Sequence, residues 1–179
     1  MNRIVTGTLV VWGILLGVGT ATAQSVDPAT SAYYRAASQA FRIPESEVLI
    51  LAEWGLQADE LPVILFVARL TRISPDAVVA MRRDRESWQA ILGRQSIGPG
   101  RLHIEFTGNP PAALAAEYRQ FASLPRERWG EVQLPDDAVI FLVNVRFLAD
   151  HVGVDPETVA AARAQSASFP QAYRVLLGG

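Results

Sequence analysis

The sequence predicts an all-α protein, and three observations carry that prediction. The first is a recurring helix-start signal, a capping side chain directly ahead of a proline, at Asp27-Pro28, Ser74-Pro75, Asn109-Pro110 and Asp155-Pro156. The side chain accepts from an orphan backbone N–H, and the proline sits in the first turn, where its missing N–H does no harm. The second is a pair of stretches, LPVILFVARL (61–70) and AVIFLVNVRFLA (138–149), apolar on almost every side. Their length and flanking caps mark them as buried helices rather than buried strands. The third is the balance of the chain, 50% hydrophobic and 19% charged over 179 residues. That is a globular composition with enough length for one domain to bury its own core.

Taken in order, the punctuation predicts helices near 28–41, 45–54, 60–72, 75–84, 87–93, 110–121, 136–152, 156–165 and 169–177. Gly55, Gly93, Gly153 and Gly178 fall at or just beyond four of these helix ends, where a left-handed terminating residue is expected. Asp136 and Asp137 follow Pro135 at the start of the second apolar helix and are read as first-turn caps. Ile97-Gly98-Pro99-Gly100 is turn-rich and opens a linker over 94–109. Within it Arg101 to Phe106 alternates polar and apolar residues, a pattern that admits one short strand, though without an evident partner.

Sliding the chain by 81 positions aligns two of its segments. Phe66, Ala68, Pro75, Val78, Ala80, Arg82 and Ser87 meet Phe147, Ala149, Pro156, Val159, Ala161, Arg163 and Ser168. Trp88 meets Phe169, and Asp76 meets Glu157. The match divides the domain into two related helical units, about 60–93 and 136–177. In each, Ser74 or Asp155 caps a helix, a first-turn acid complements its dipole, and Arg82 or Arg163 meets carbonyls near its end. Ser87 and Ser168 cap the next helix, and Trp88 or Phe169 plugs the gap between helices. Units this short cannot bury their own apolar faces, so each is expected to pack on its twin.

The first 23 residues have the layout of a secretory signal: Arg3, an uncharged stretch from Ile4 to Gly19, then Ala21-Thr22-Ala23 ahead of Gln24. About 16 apolar residues fall short of the ~20 that span a bilayer. The expectation is a mature chain, 24–179, in the periplasm or outside the cell, with no stable membrane insertion after cleavage. The chain has no Cys, which removes disulfides, thiolate nucleophiles and Cys-based metal sites. A net charge of −2 gives no attraction for a polyanion. Arg82, Arg83 and Arg85 lend SPDAVVAMRRDRESW a helix-turn-helix cadence, yet an exported acidic chain meets no cytoplasmic DNA, and no nucleic-acid partner is expected.

The run WGEVQLPDDAVIFLVNVRFLADHVGVDPETVAAARAQSASF (129–169) resembles a pattern in small exported bacterial helical proteins of unassigned function. In these a Trp precedes an LxDxxIVxLVNxRFL-like helix, followed by a V-x-P-x-x-V…R…S-F unit. Leu134, Asp136, Leu142, Val143, Asn144, Arg146, Phe147 and Leu148 carry the likeness. Where the pattern often has Gly before the Ser-aromatic pair, this chain has Arg85-Glu86 and Ser166-Ala167. The resemblance implies a helical fold and no activity.

Chemistry is sparse. His103 and Glu105 would share a face of a strand, and His151 follows Asp150, but no third metal ligand, nucleophile motif or phosphate loop joins them. Asn144 lies mid-way along the most apolar helix, where its amide needs backbone partners and would set how two helices meet. The leading expectation is therefore a non-catalytic structural or protein-interaction module with an envelope protein partner and no cofactor or metal. Trp88, Trp129, Arg82, Arg163 and Arg146 are its candidate contact residues. One alternative is a carrier of an apolar ligand or lipid, with Trp54, Trp88 and Trp129 lining a cavity. A further alternative is a hydrolase-type enzyme using His103 and His151.

Overall fold

Residues 27–178 are described by a computed structural model, so the signal-like segment at 1–23 lies outside the described residues. Over that range the chain forms nine α-helices: α1 (Pro28–Phe41), α2 (Glu45–Ala52), α3 (Leu61–Thr71), α4 (Pro75–Arg83), α5 (Trp88–Arg94), α6 (Ala115–Ser123), α7 (Asp136–Val152), α8 (Pro156–Ala164) and α9 (Phe169–Leu176). Short 3-10 turns precede α3, α6 and α7, and another lies at Pro99–Arg101. The fold is all-α, with no strand among the described residues. Among the described residues no helix is long and apolar enough to cross a membrane.

The two all-round apolar stretches form the centre. Leu61, Val63, Ile64, Leu65 and Val67 of α3 are buried, as are Leu142, Val143, Val145, Phe147 and Leu148 of α7, and the two helices pack on each other. Burying each such side chain contributes about 1.5–3 kcal/mol before entropy is counted. From there, α4 lies on α3 and α8 on α7, while α5 reaches back to α7. Helix α1 covers α3, α7 and α9 and drives Tyr33, with no exposed surface, into the middle.

Helix boundaries keep the 81-residue spacing. Helices α3 and α7 end at Thr71 and Val152; α4 and α8 run Pro75–Arg83 and Pro156–Ala164; α5 and α9 begin at Trp88 and Phe169. Left-handed residues terminate the central pair at matching positions, Arg72 at φ 62° and Gly153 at φ 79°.

Four local expectations need correction. Residues 103–106 form no strand, because their backbone groups are taken by side chains instead of by a neighbouring strand. The Tyr118 hydroxyl accepts from Ile104 N–H at 3.1 Å and donates to its carbonyl at 2.7 Å. Arg146 holds the three carbonyls just before. Secondly, Asn109 starts no helix: Pro111 directly follows Pro110, and a residue ahead of proline is driven out of the helical region. A 3-10 turn at Ala112–Leu114 leads into α6 instead. Thirdly, Gly93 stays inside α5, and Ser96 takes the left-handed conformation beyond its end. Lastly, Asp155 caps nothing with its side chain, and Asp136 turns away from its own helix start. Asp27, Ser74, Ser87 and Ser168 do cap as expected.

Arg72 occupies a backbone region that costs a side-chain-bearing residue about 1–2 kcal/mol. Arg72→Gly is expected to raise unfolding stability by roughly 0.5–1 kcal/mol, net of glycine's greater unfolded freedom. Gly153→Ala should lower it by about 1 kcal/mol through the backbone alone, since no atom lies within 4 Å of the added Cβ. Urea denaturation of both variants measures the pair of effects.

Candidate functional site

Two arginine-centred clasps join the halves of the fold. In the first, Arg82 projects from the last turn of α4 with its guanidinium 5.1 Å from the Trp88 ring centroid. Its Nε donates to Glu60 Oε1 at 2.6 Å, and Nη1 meets Asp136 Oδ2 at 2.6 Å and the Glu86 carbonyl at 2.9 Å. The same Glu60 oxygen accepts from the Trp88 indole at 3.2 Å, while Oε2 accepts from the Gln57 backbone. Asp136 Oδ1 accepts from the Trp88 backbone N–H at 2.7 Å, so α7 supplies the acceptor for the first residue of α5. Burial works against the charge on Arg82, but the bonds to Glu60 and Asp136 outweigh it and raise its pKa. The carbonyl bond expected of Arg82 is present, and the two carboxylates are additional.

The second clasp has the same frame and different contents. Arg163 leaves α8 with its guanidinium 5.2 Å from the Phe169 ring and donates from Nη1 to the Ser166 carbonyl at 2.6 Å. Phe169 N–H, at the start of α9, donates to Asp59 Oδ1 at 3.1 Å. Thus each half lends a carboxylate to a helix start in the other. Among the described residues, however, no carboxylate hydrogen-bonds Arg163, and its Nε is enclosed without an acceptor. An enclosed donor in that state costs about 1–3 kcal/mol. Burial holds the Asp59 carboxyl above its ordinary range, against the opposing pull of the Phe169 N–H and the charge of Arg163.

Asn144, with no exposed surface, bridges this clasp to α1. Its Nδ2 donates to the carbonyls of Asp59 and Ile140, both at 2.8 Å, and its Oδ1 accepts from the Tyr33 hydroxyl. Burial, then the nearby Asp59 charge, pushes the Tyr33 pKa well up. The amide therefore sets how α1, α7 and the turn before α3 meet.

Beside the second clasp lies a cavity of about 600 Å³ between α7, α8 and the stretch ahead of α6. Ile140, Phe141, Phe169 and Pro170 give it an apolar wall, and Arg163, Asp59 and Asp137 give it polar groups. Sequence reasoning named Arg163 and missed the cavity, whose walls come from five separate parts of the chain.

The remaining expected residues lie apart from it. Trp88 is fully enclosed and presents no surface. Arg146 is consumed by the carbonyls of Arg101, Leu102 and His103, at 3.0, 3.2 and 2.9 Å, and its burial lowers its pKa. Trp129, half-buried, donates to the Phe121 and Leu124 carbonyls and stacks on His103, with ring centroids 4.4 Å apart. Burial, with Arg126 and Arg146, holds the His103 pKa below its usual value despite Glu105. Glu105 pairs with Arg126 at the surface. His151 stands in a different aromatic group, 3.3 Å from the Tyr173 hydroxyl. The two histidines are thus not brought together, and no group of three metal-ligating side chains occurs among the described residues.

Compared with known proteins, the chain matches no family model, no curated protein and no solved structure.

Removing a guanidinium shared by the buried Glu60 carboxylate and the part-exposed Asp136 carboxylate takes the opposing charge from both of them. Arg82→Leu is expected to cost about 3–5 kcal/mol, whereas Arg163→Leu should cost roughly 1 kcal/mol or less, as measured by urea denaturation. Asp59 supplies a second test. Its raised pKa means that the folded state holds the proton more tightly than the unfolded state. Its contribution to stability is therefore largest below the raised value and declines as pH climbs from the ordinary carboxylate range through that value. Asp59→Asn keeps an oxygen for Phe169 N–H, so its stability relative to wild type should improve as pH climbs from the ordinary carboxylate range through the raised value, and then level off, in pH-dependent unfolding curves.

Proposed function

We propose that this protein is an exported, non-catalytic helical module that acts through a protein partner in the cell envelope, and that its body consists of two related units clasped together. The single observation that carries the partner reading is the outward face of α2. Leu49 and Ile50 of α2 and Trp54 just beyond its end are 41%, 54% and 36% exposed. Large apolar side chains left in water add nothing to a domain's own stability, and exposed apolar surface of this kind marks contact sites. Glu45, Glu47 and Glu53 are exposed around them. The partner surface that fits is accordingly an apolar patch with a basic rim.

Several features support the non-catalytic part of the reading. Arg82, Arg146, Asn144, Glu60 and Asp136 spend their polar groups on holding helices together. His103 and Trp129 stack on one another inside an aromatic cluster that also contains Tyr118 and Phe121. Export is supported by the layout of the first 23 residues, and the two-unit reading by the 81-residue spacing of helix boundaries and clasps.

The test is crosslinking in intact cells followed by affinity purification, comparing wild type with Ile50→Glu and Trp54→Ser. These exposed sites should tolerate substitution without loss of the fold. The expected result is a mature chain beginning at Gln24 and a crosslinked envelope protein that disappears in both variants. Crosslinks that are unchanged in both variants, or a chain that keeps its first 23 residues in the cytoplasm, would refute the reading.

A further inference from the structure

The two clasps can be compared position by position, and one difference between them has a chemical consequence. In the first clasp, Glu60 places a carboxylate on Arg82 Nε at 2.6 Å. The residue 81 positions later is Phe141, whose ring packs edge-on against Phe169 with centroids 5.6 Å apart. The carboxylate that completes Arg82 therefore has no counterpart at Arg163. Arg163 retains its carbonyl bond and its aromatic stack, but Nε is left without an acceptor. Nη2 likewise makes no hydrogen bond among the described residues, and it is not enclosed. Arg163 lines the cavity described above, at about 600 Å³, which is well within the range that holds small organic ligands.

We propose that this cavity binds a small amphipathic monocarboxylate, its carboxylate on the guanidinium of Arg163 and its hydrocarbon body against Ile140, Phe141, Phe169 and Pro170. The ligand carboxylate meets Nη2, the part of the guanidinium left open, since Nε is enclosed and Nη1 is held by the Ser166 carbonyl. The site goes beyond the protein-partner reading of α2 and does not depend on it.

The acidic groups that face the cavity decide whether an anion is tolerated. Asp59 is engaged by the Phe169 N–H, and its burial weakens the hold of its negative charge. The first clasp provides the precedent, since Arg82 accommodates the carboxylates of Glu60 and Asp136 together. Asp137 is exposed, so water screens its repulsion. One added carboxylate reproduces the charge count around Arg82, whereas a dicarboxylate exceeds it. The cationic Nη2 favours an anionic carboxylate over a neutral hydroxyl, and the phenyl walls favour a chain or ring over a sugar.

Isothermal titration of the purified full chain with octanoate, octylamine and octanol tests the assignment. Octanoate is expected to bind saturably at one site, with octylamine and octanol at least about tenfold weaker, the scale of one charge-assisted hydrogen bond. Phe141→Glu rebuilds the arrangement around Arg82 and should abolish octanoate binding while the far-ultraviolet circular dichroism stays native. Arg163→Gln should weaken binding by at least about tenfold through loss of the same bond. Arg119→Gln, at an exposed position on α6, should bind as wild type does. The proposal is overturned if octanoate fails to saturate wild type, if octylamine binds more tightly, or if Arg163→Gln retains wild-type affinity. The last outcome decides the matter even if Phe141→Glu does not fold.

Discussion

Two helices inside this fold begin at residues whose backbone N–H groups find no acceptor in their own half of the chain. Trp88 takes Asp136 from the head of α7, and Phe169 takes Asp59 from the turn that leads into α3. A buried amide without an acceptor is costly, so these two bonds oblige the halves to sit in one mutual position. The packing of α3 on α7 supplies most of the apolar burial, but apolar burial alone has little directional preference. The exchanged carboxylates supply the direction. Asn144 adds to it by tying the Asp59 carbonyl and the Tyr33 hydroxyl to the same point of α7.

Within that common frame the two halves differ in chemistry. The first clasp is filled: Arg82 meets Glu60 from its own half and Asp136 from the other, and Trp88 uses its indole N–H on the same Glu60 oxygen. The second exchanges Trp and Glu for two phenylalanines, which need no acceptors and leave a guanidinium underused beside open space. A frame so strongly specified by one clasp tolerates incompleteness in the other. This is the physical basis for separating a stabilising half from a half free to bind.

The linker between the units shows how backbone is satisfied without regular structure. Residues 101–107 are served in turn by Arg146, the Tyr118 hydroxyl and Glu157, each from a different helix. Burying Leu102 and Ile104 needs that service, because extended backbone under a helical layer would otherwise lose its hydrogen bonds. Arg146 and Trp129, conspicuous in the sequence, are thereby committed to holding the connection down, whereas Leu49 and Ile50 of α2 stay exposed.

By itself, the sequence determined the helices, because their signals are local. Proline behind a capping serine or aspartate, and apolar residues on all sides of 61–70 and 138–149, act within one or two turns of chain. The 81-residue spacing was legible for the same reason, and so was the need of Asn144 for backbone partners. Tertiary structure decided the rest. Asp136 reads as a cap for its own helix, yet it serves Trp88, 48 residues away. Arg101 to Phe106 alternates like a strand, but the side chains that replace its missing partner arrive from α6 and α7. Arg82 and Arg163 look equivalent in sequence, and only their neighbours in space, Glu60 against one and Phe141 near the other, make one saturated and the other available. Pairings between distant segments depend on where the chain crosses itself, and a local pattern of residues does not contain that geometry.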